Sequence, residues 1–92
     1  MAIEAIYFDG ETARDNRVSA DLDVHGIIFS GEGVKLQTWS LGGLTAIDSP
    51  HSGQQLRLAH ESHPGARLII PDDGFSAELL SLAPQLKGGF NS

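Results

Sequence analysis

Apolar and polar residues alternate most regularly over residues 17–24, where Val18, Ala20, Leu22 and Val24 interleave with Arg17, Ser19, Asp21 and Asp23. A period of two gives a strand with one dry face and one wet face. His25-Gly26 follows, and then Ile27, Ile28 and Phe29. A two-residue loop with glycine second predicts a primed hairpin turn at His25-Gly26. In that register Val24 faces Ile27 and Leu22 faces Phe29, so the apolar sets coincide; a one-residue slip would separate them.

The same reading places further strands on either side. Ile3 to Phe8 is rich in β-formers and ends at the turn signal Asp9-Gly10, before a polar loop over residues 9–16. Gly31-Glu32-Gly33 breaks the chain, Val34 to Leu41 forms the next strand, and Gly42-Gly43 ends it. Leu44 to Asp48 reads as a short strand and Ser49 to Gly53 as a loop. Leu56, Leu58 and His60 share one strand face; His63-Pro64-Gly65 turns the chain; Ala66, Leu68 and Ile70 form the last inner face. The period then lengthens. Asp72 or Asp73 can cap a helix whose stripe is Phe75, Leu79, Leu82 and Leu86, and Pro84 ends or kinks it near Ala83. The prediction is a mainly β (α+β) fold. About seven antiparallel strands over residues 3–70 form a bent sheet or open barrel. One C-terminal amphipathic helix over 73–86 plugs an end and shields an edge. This layout is similar to the pleckstrin-homology-like superfold. Residues 1–92 are read as one domain with a frayed tail at 88–92, since two cores in 92 residues would each be too small.

Charge narrows the partners. The net charge is −6, and the cations Arg14, Arg17, Lys35, Arg57, Arg67 and Lys87 are scattered singly. That argues against nucleic acid and against docking on an anionic membrane. The absence of cysteine excludes a disulfide framework or thiolate site. The N-terminus lacks the cationic start of a signal peptide, and no stretch reaches the ~18 apolar residues of a membrane span.

No residue pattern points to catalysis, a cofactor or a metal. His60-Glu61-Ser62-His63 differs from the zinc-peptidase pattern H-E-x-x-H, in which the two histidines are four apart; here position 64 is Pro64. The expectation is a half-buried strand His60 and a solvated turn His63. His25 and His51 fall in turns. Gly31-Glu32-Gly33 lacks the third glycine and the following helix of a dinucleotide fingerprint and reads as a hairpin turn. Asp9, Glu11 and Asp15 lack the ligand alternation of a calcium loop. Trp39 alternates with Gln37 and Leu41 and is expected in the core; a partly exposed Trp39 beside Tyr7 or Phe8 would instead form a contact surface, so Trp39 and Tyr7 are the candidate interaction residues.

Several segments resemble one family across about residues 3–87. They are Ala5 to Gly10 with Thr12-Ala13-Arg14, the IFSGEG run at 28–33, Trp39-x-Leu41-x-x-Leu44, Ala66-Arg67-Leu68, and DDGFSAELLSL at 72–82. The resemblance is to a bacterial domain of unknown function. It implies a position at the N-terminus of membrane-bound zinc metallopeptidases related to the HtpX and CAAX-prenyl-protease group. The chain carries neither the membrane helices nor the H-E-x-x-H of such a peptidase, so no zinc or peptidase residue is carried over to any position here. What the resemblance implies is a non-catalytic accessory or regulatory domain in the cytoplasm, held at the inner face of the membrane through a part beyond Ser92. Its partners would be the parent's catalytic domain or a protein substrate. The alternative is a stand-alone module for a small ligand, lipid headgroup or peptide.

Overall fold

The computed structural model describes residues 2–47 and 55–88. Seven strands run β1 Ile3–Phe8, β2 Asn16–Asp23, β3 Gly26–Gly31, β4 Val34–Ser40, β5 Leu44–Ala46, β6 Leu56–His60 and β7 Arg67–Ile70. They form one antiparallel sheet in the order β4-β3-β2-β1-β7-β6-β5. The chain thus lays down two meanders, and β1 is the seam between them. Helix α1 spans Asp73–Leu82, and a further helical turn, α2, spans Gln85–Gly88.

The sheet is curled into a half-barrel, and one residue shows how far. Trp39 on β4 and His60 on β6 lie five strand spacings apart, about 24 Å if the sheet were flat. Their ring centroids are 5.5 Å apart. The concave face carries Ala5, Tyr7, Val18, Ala20, Ile27, Phe29, Leu58 and Leu68, all buried. These are the alternate positions that the period-two pattern marks, and alternation is what lets one face stay dry.

The helix closes one end of this trough. Asp72 caps α1 by accepting a hydrogen bond from the Phe75 amide at 2.7 Å. Phe75 and Leu79 are buried, and Phe75 shares a groove with Ile3 at the start of β1. Pro84 then ends the helix: the Ala83 amide still bonds the Leu79 carbonyl, and the chain re-forms one turn at Gln85. The break re-aims the stripe. Ala83 and Leu86 are buried, whereas Leu82, expected in the stripe, is 39% exposed.

The first hairpin departs from the expected register. Leu22 pairs with Ile27 and Ala20 with Phe29, so the loop is Val24-His25, not His25-Gly26. The Asp23 carboxylate is the cause. It accepts from the amides of His25 (2.7 Å) and Gly26 (3.2 Å) and fixes the turn one residue earlier. Val24, expected to face inward, sits in the turn and is 73% exposed. The shift is by two residues, so Val18, Ala20 and Leu22 keep their inward face. Gly26 joins β3 opposite Ser40, with φ 152°, where a Cβ would lie 2.1 Å from the Trp39 carbonyl oxygen. The strand expected over Val34–Leu41 ends at Ser40, and Leu41–Gly43 forms a 3-10 turn into β5. The strand expected over Leu44–Asp48 ends at Ala46. Gly88, expected in the tail, ends α2, and residues 48–54, with His51, and 89–92 fall outside the described residues.

These contacts make a graded series of substitutions. Gly26→Ala should cost more than about 2 kcal/mol, because the clash is with backbone. Gly33→Ala, at φ 77° with open space around it, should cost about 1 kcal/mol. Val24→Ala should stay within about 0.5 kcal/mol. Urea unfolding of the three variants checks the order; a large loss at Val24 would return it to the core and restore the His25-Gly26 turn.

Candidate functional site

With the helix at the Ile3 end of β1, the trough opens at the Phe8 end. A cleft of about 640 Å³ lies there, lined from β1 (Tyr7), the loop after it (Asp9, Thr12, Arg14), the start of β2 (Asn16), and β4 (Lys35, Gln37) with the turn before it (Gly33). The sequence places these residues by two devices. Alternation puts Lys35 and Gln37 on the inward face of β4, in line with Trp39. The pairing of Tyr7 with Asn16 brings both ends of the intervening loop to the rim.

The loop is tied at both ends by side-chain hydrogen bonds. The Asp9 carboxylate accepts from the amides of Glu11 (2.8 Å) and Thr12 (3.1 Å). The Glu11 bond, then the Thr12 bond, favours the charged form, and the nearby Arg14 adds to it, so Asp9 titrates below its ordinary 3.8. Gly10, at φ 86°, lets the loop lie against the β6–β7 turn. A Cβ there would be 2.6 Å from the Gly65 carbonyl carbon. The Asn16 side-chain amide donates to the carbonyl oxygen of Tyr7 at 3.2 Å and ties the far end down.

Beneath the cleft is a packed aromatic cluster. Trp39 is fully buried and Tyr7 is 7% exposed. Trp39 thus lies in the core, as expected, and not at the surface; Tyr7 is buried as well, with one side reaching the floor of the cleft. Tyr7 and Phe29 are 5.2 Å apart, Phe29 meets Trp39 edge-on at 5.4 Å, and His63 stacks on Trp39 at 5.9 Å and 20°. His63 is thus half-buried against the indole, not solvated as expected of a turn histidine, and its Nδ1 is buried without a partner among the described residues.

His60 is buried where half-burial was expected, and its ring is fully engaged. Its Nε2 lies 3.1 Å from both the hydroxyl and the carbonyl oxygen of Ser40, and its Nδ1 accepts from the Ser62 amide at 3.1 Å. An accepting Nδ1 means that Nε2 carries the proton. His60 therefore fastens the end of β4 to β6 across the open side of the trough. Neither nitrogen is left for a metal, and among the described residues no group of three or more His, Asp or Glu could hold one.

The hydrogen-bond inventory of the cleft is lopsided. Gln37 Oε1 accepts from the Trp39 indole at 3.3 Å, and Thr12 Oγ1 accepts from the Arg14 amide at 3.3 Å. Arg14 and Lys35 make no ion pair within 4 Å among the described residues. Sequence reasoning missed this convergence, because residues 14, 35 and 37 are brought together only by the pairing of β1 through β4. The period-two alignment of Lys35 and Gln37 with Trp39 was the one local signal.

Residues 2–83 match the model of a family described as a domain of unknown function, DUF7092. The chain belongs to this family. The match spans all seven strands and α1 of the DUF7092 fold described above, together with every residue that lines the cleft. No curated protein matches the chain. No helix among its described residues is long and apolar enough to cross a membrane.

Asp9 gives a pH prediction. Its folded pKa is depressed, so its contribution is complete above the unfolded value and is lost as pH falls through the folded one. The melting-temperature gap between the wild type and Asp9→Ala should be full at pH 6–7 and shrink below about pH 4. A gap that stays constant down to pH 2 would mean that the carboxylate does not hold the loop.

Proposed function

We propose that this domain is a non-catalytic accessory or regulatory interaction module, and that its native setting is the N-terminus of a membrane-bound zinc metallopeptidase, on the cytoplasmic side. The observation that carries the interaction reading is the open cleft beside a sheet edge on which no further strand pairs among the described residues. Strand β4 ends the sheet, and its Lys35 and Gln37 line the cleft. A partner segment added along β4 would extend the ladder and lay its end against the lining groups. The peptidase setting rests on the resemblance carried by the Ala5–Gly10, IFSGEG and DDGFSAELLSL segments, among others. The seven-strand meander followed by a helix supports the pleckstrin-homology-like comparison, which on its own says nothing of activity.

A second reading is a small-ligand module, favoured by the size of the cleft, which falls within the usual range for ligand sites. Within it, a phosphoinositide headgroup is disfavoured, because among the described residues only Arg14 and Lys35 bring positive charge to the lining, in a chain of net charge −6.

Deleting residues 2–83 from the native protein is the direct check. Peptide-bond hydrolysis by the remainder should change in rate or in substrate choice. Unchanged hydrolysis of every substrate tried would remove the regulatory role.

A further inference from the structure

We propose that the cleft binds a carboxylate, held by Arg14 and Lys35; this deepens the interaction-module reading and rests on it. The argument comes from which hydrogen-bonding groups the fold leaves over. Of the side-chain acceptors in the lining, Asn16 Oδ1 and the second Asp9 oxygen are left over, and the others are occupied from within. Asp9 takes two backbone amides, Thr12 Oγ1 takes the Arg14 amide, and Gln37 Oε1 takes the Trp39 indole. The donors remain. An indole N–H can only donate, so its bond fixes the Gln37 amide with the oxygen turned inward and both N–H groups outward. The Thr12 hydroxyl keeps its proton free. Among the described residues the Tyr7 hydroxyl has no hydrogen-bond partner, and neither cation makes an ion pair within 4 Å.

A concave site with surplus donors and two cations free of ion pairs within 4 Å among the described residues suits a ligand that is all acceptor and negatively charged. Asp9, Arg14 and Lys35, the three charged groups of the lining, sum to +1. The rest of the chain selects among anions. With a net charge of −6, it repels a phosphate dianion or a polyanionic surface more strongly than a single carboxylate. Tyr7 and Val34 add apolar contact for the carbon attached to that carboxylate.

The test is a titration of the ¹⁵N-labelled 92-residue chain at fixed ionic strength. The probes are an N-acetylated tetrapeptide with a free C-terminal carboxylate, the same peptide as its amide, sodium acetate and inorganic phosphate. The acid peptide should shift the amides of Thr12, Arg14, Gly33 and Lys35 and, through Gln37, the indole N–H of Trp39. The amide form should leave them in place, and phosphate should bind more weakly than the acid. Acetate matching the peptide would assign the site to small acids, and a tighter peptide would assign it to chain termini; both uphold the carboxylate. Arg14→Gln and Lys35→Gln should each weaken binding about tenfold. Lys87→Gln, which removes the same charge away from the cleft, should not. Equal response to acid and amide, tighter binding of phosphate, or equal weakening by Lys87→Gln would each overturn the proposal. A domain deletion that still alters proteolysis would then leave the interaction module standing without its carboxylate.

Discussion

Everything in this fold depends on the burial of Trp39 between two halves of one sheet. A flat seven-stranded sheet of this length would leave both faces wet and give Trp39 only its neighbours on β3. Curling carries β6 over it, so that Phe29, Tyr7, His60 and His63 close round the indole. Burying a side chain of that size contributes several kcal/mol, a large share of what a domain of this size has to spare. The histidine at 60 makes the curl specific. Its two nitrogens bond the loose end of β4 and the start of the next turn, a link that an apolar residue could not make. Gly43 keeps this possible, since a Cβ there would lie 2.5 Å from His60 Nε2.

The cleft follows from the same curl. A half-barrel has two mouths, and the helix fills only one. At the other, the side chains that continue the inward rows of β2 and β4 change from apolar to polar: Asn16 beyond Val18, and Gln37 and Lys35 beyond Trp39. The core thus grades into a hydrogen-bonding rim along single strands. The hydrogen bond from the Trp39 indole to Gln37 joins the two regions, so the orientation of a rim amide is set by the largest fully buried side chain among the described residues.

The strands were legible because the inward positions alternate with charges that have nowhere else to go, as in Val18-Ser19-Ala20-Asp21-Leu22. The cap at Asp72 and the break at Pro84 were legible from local chemistry alone. The hairpin was legible in its facing but not in its turn: glycine at 26 points to a primed loop, yet Asp23 binds two amides and takes the turn for itself. The exposure of Leu82 was hidden because the helical period assumes that the helix continues past Pro84. His63 read as solvated because no local pattern reveals that β4 will arrive over the β6–β7 turn. The cleft was hidden for the same reason. Its parts are separated by whole strands, and each cation taken singly reads as a solvated surface group.

The strand order also governs how the chain can assemble. β1 is made first but sits at the centre, pairing with β2 on one side and with β7 on the other, where Ile6 meets Ile69. The first four strands can zip as successive hairpins while the remainder is still being synthesised. The inner row of β1 then waits with one flank bare until nearly the whole domain has left the ribosome. Such distant pairing is slow, because a long loop must close before it is rewarded. During that interval a nascent chain presents an open β1 edge to any other strand, its own copies included.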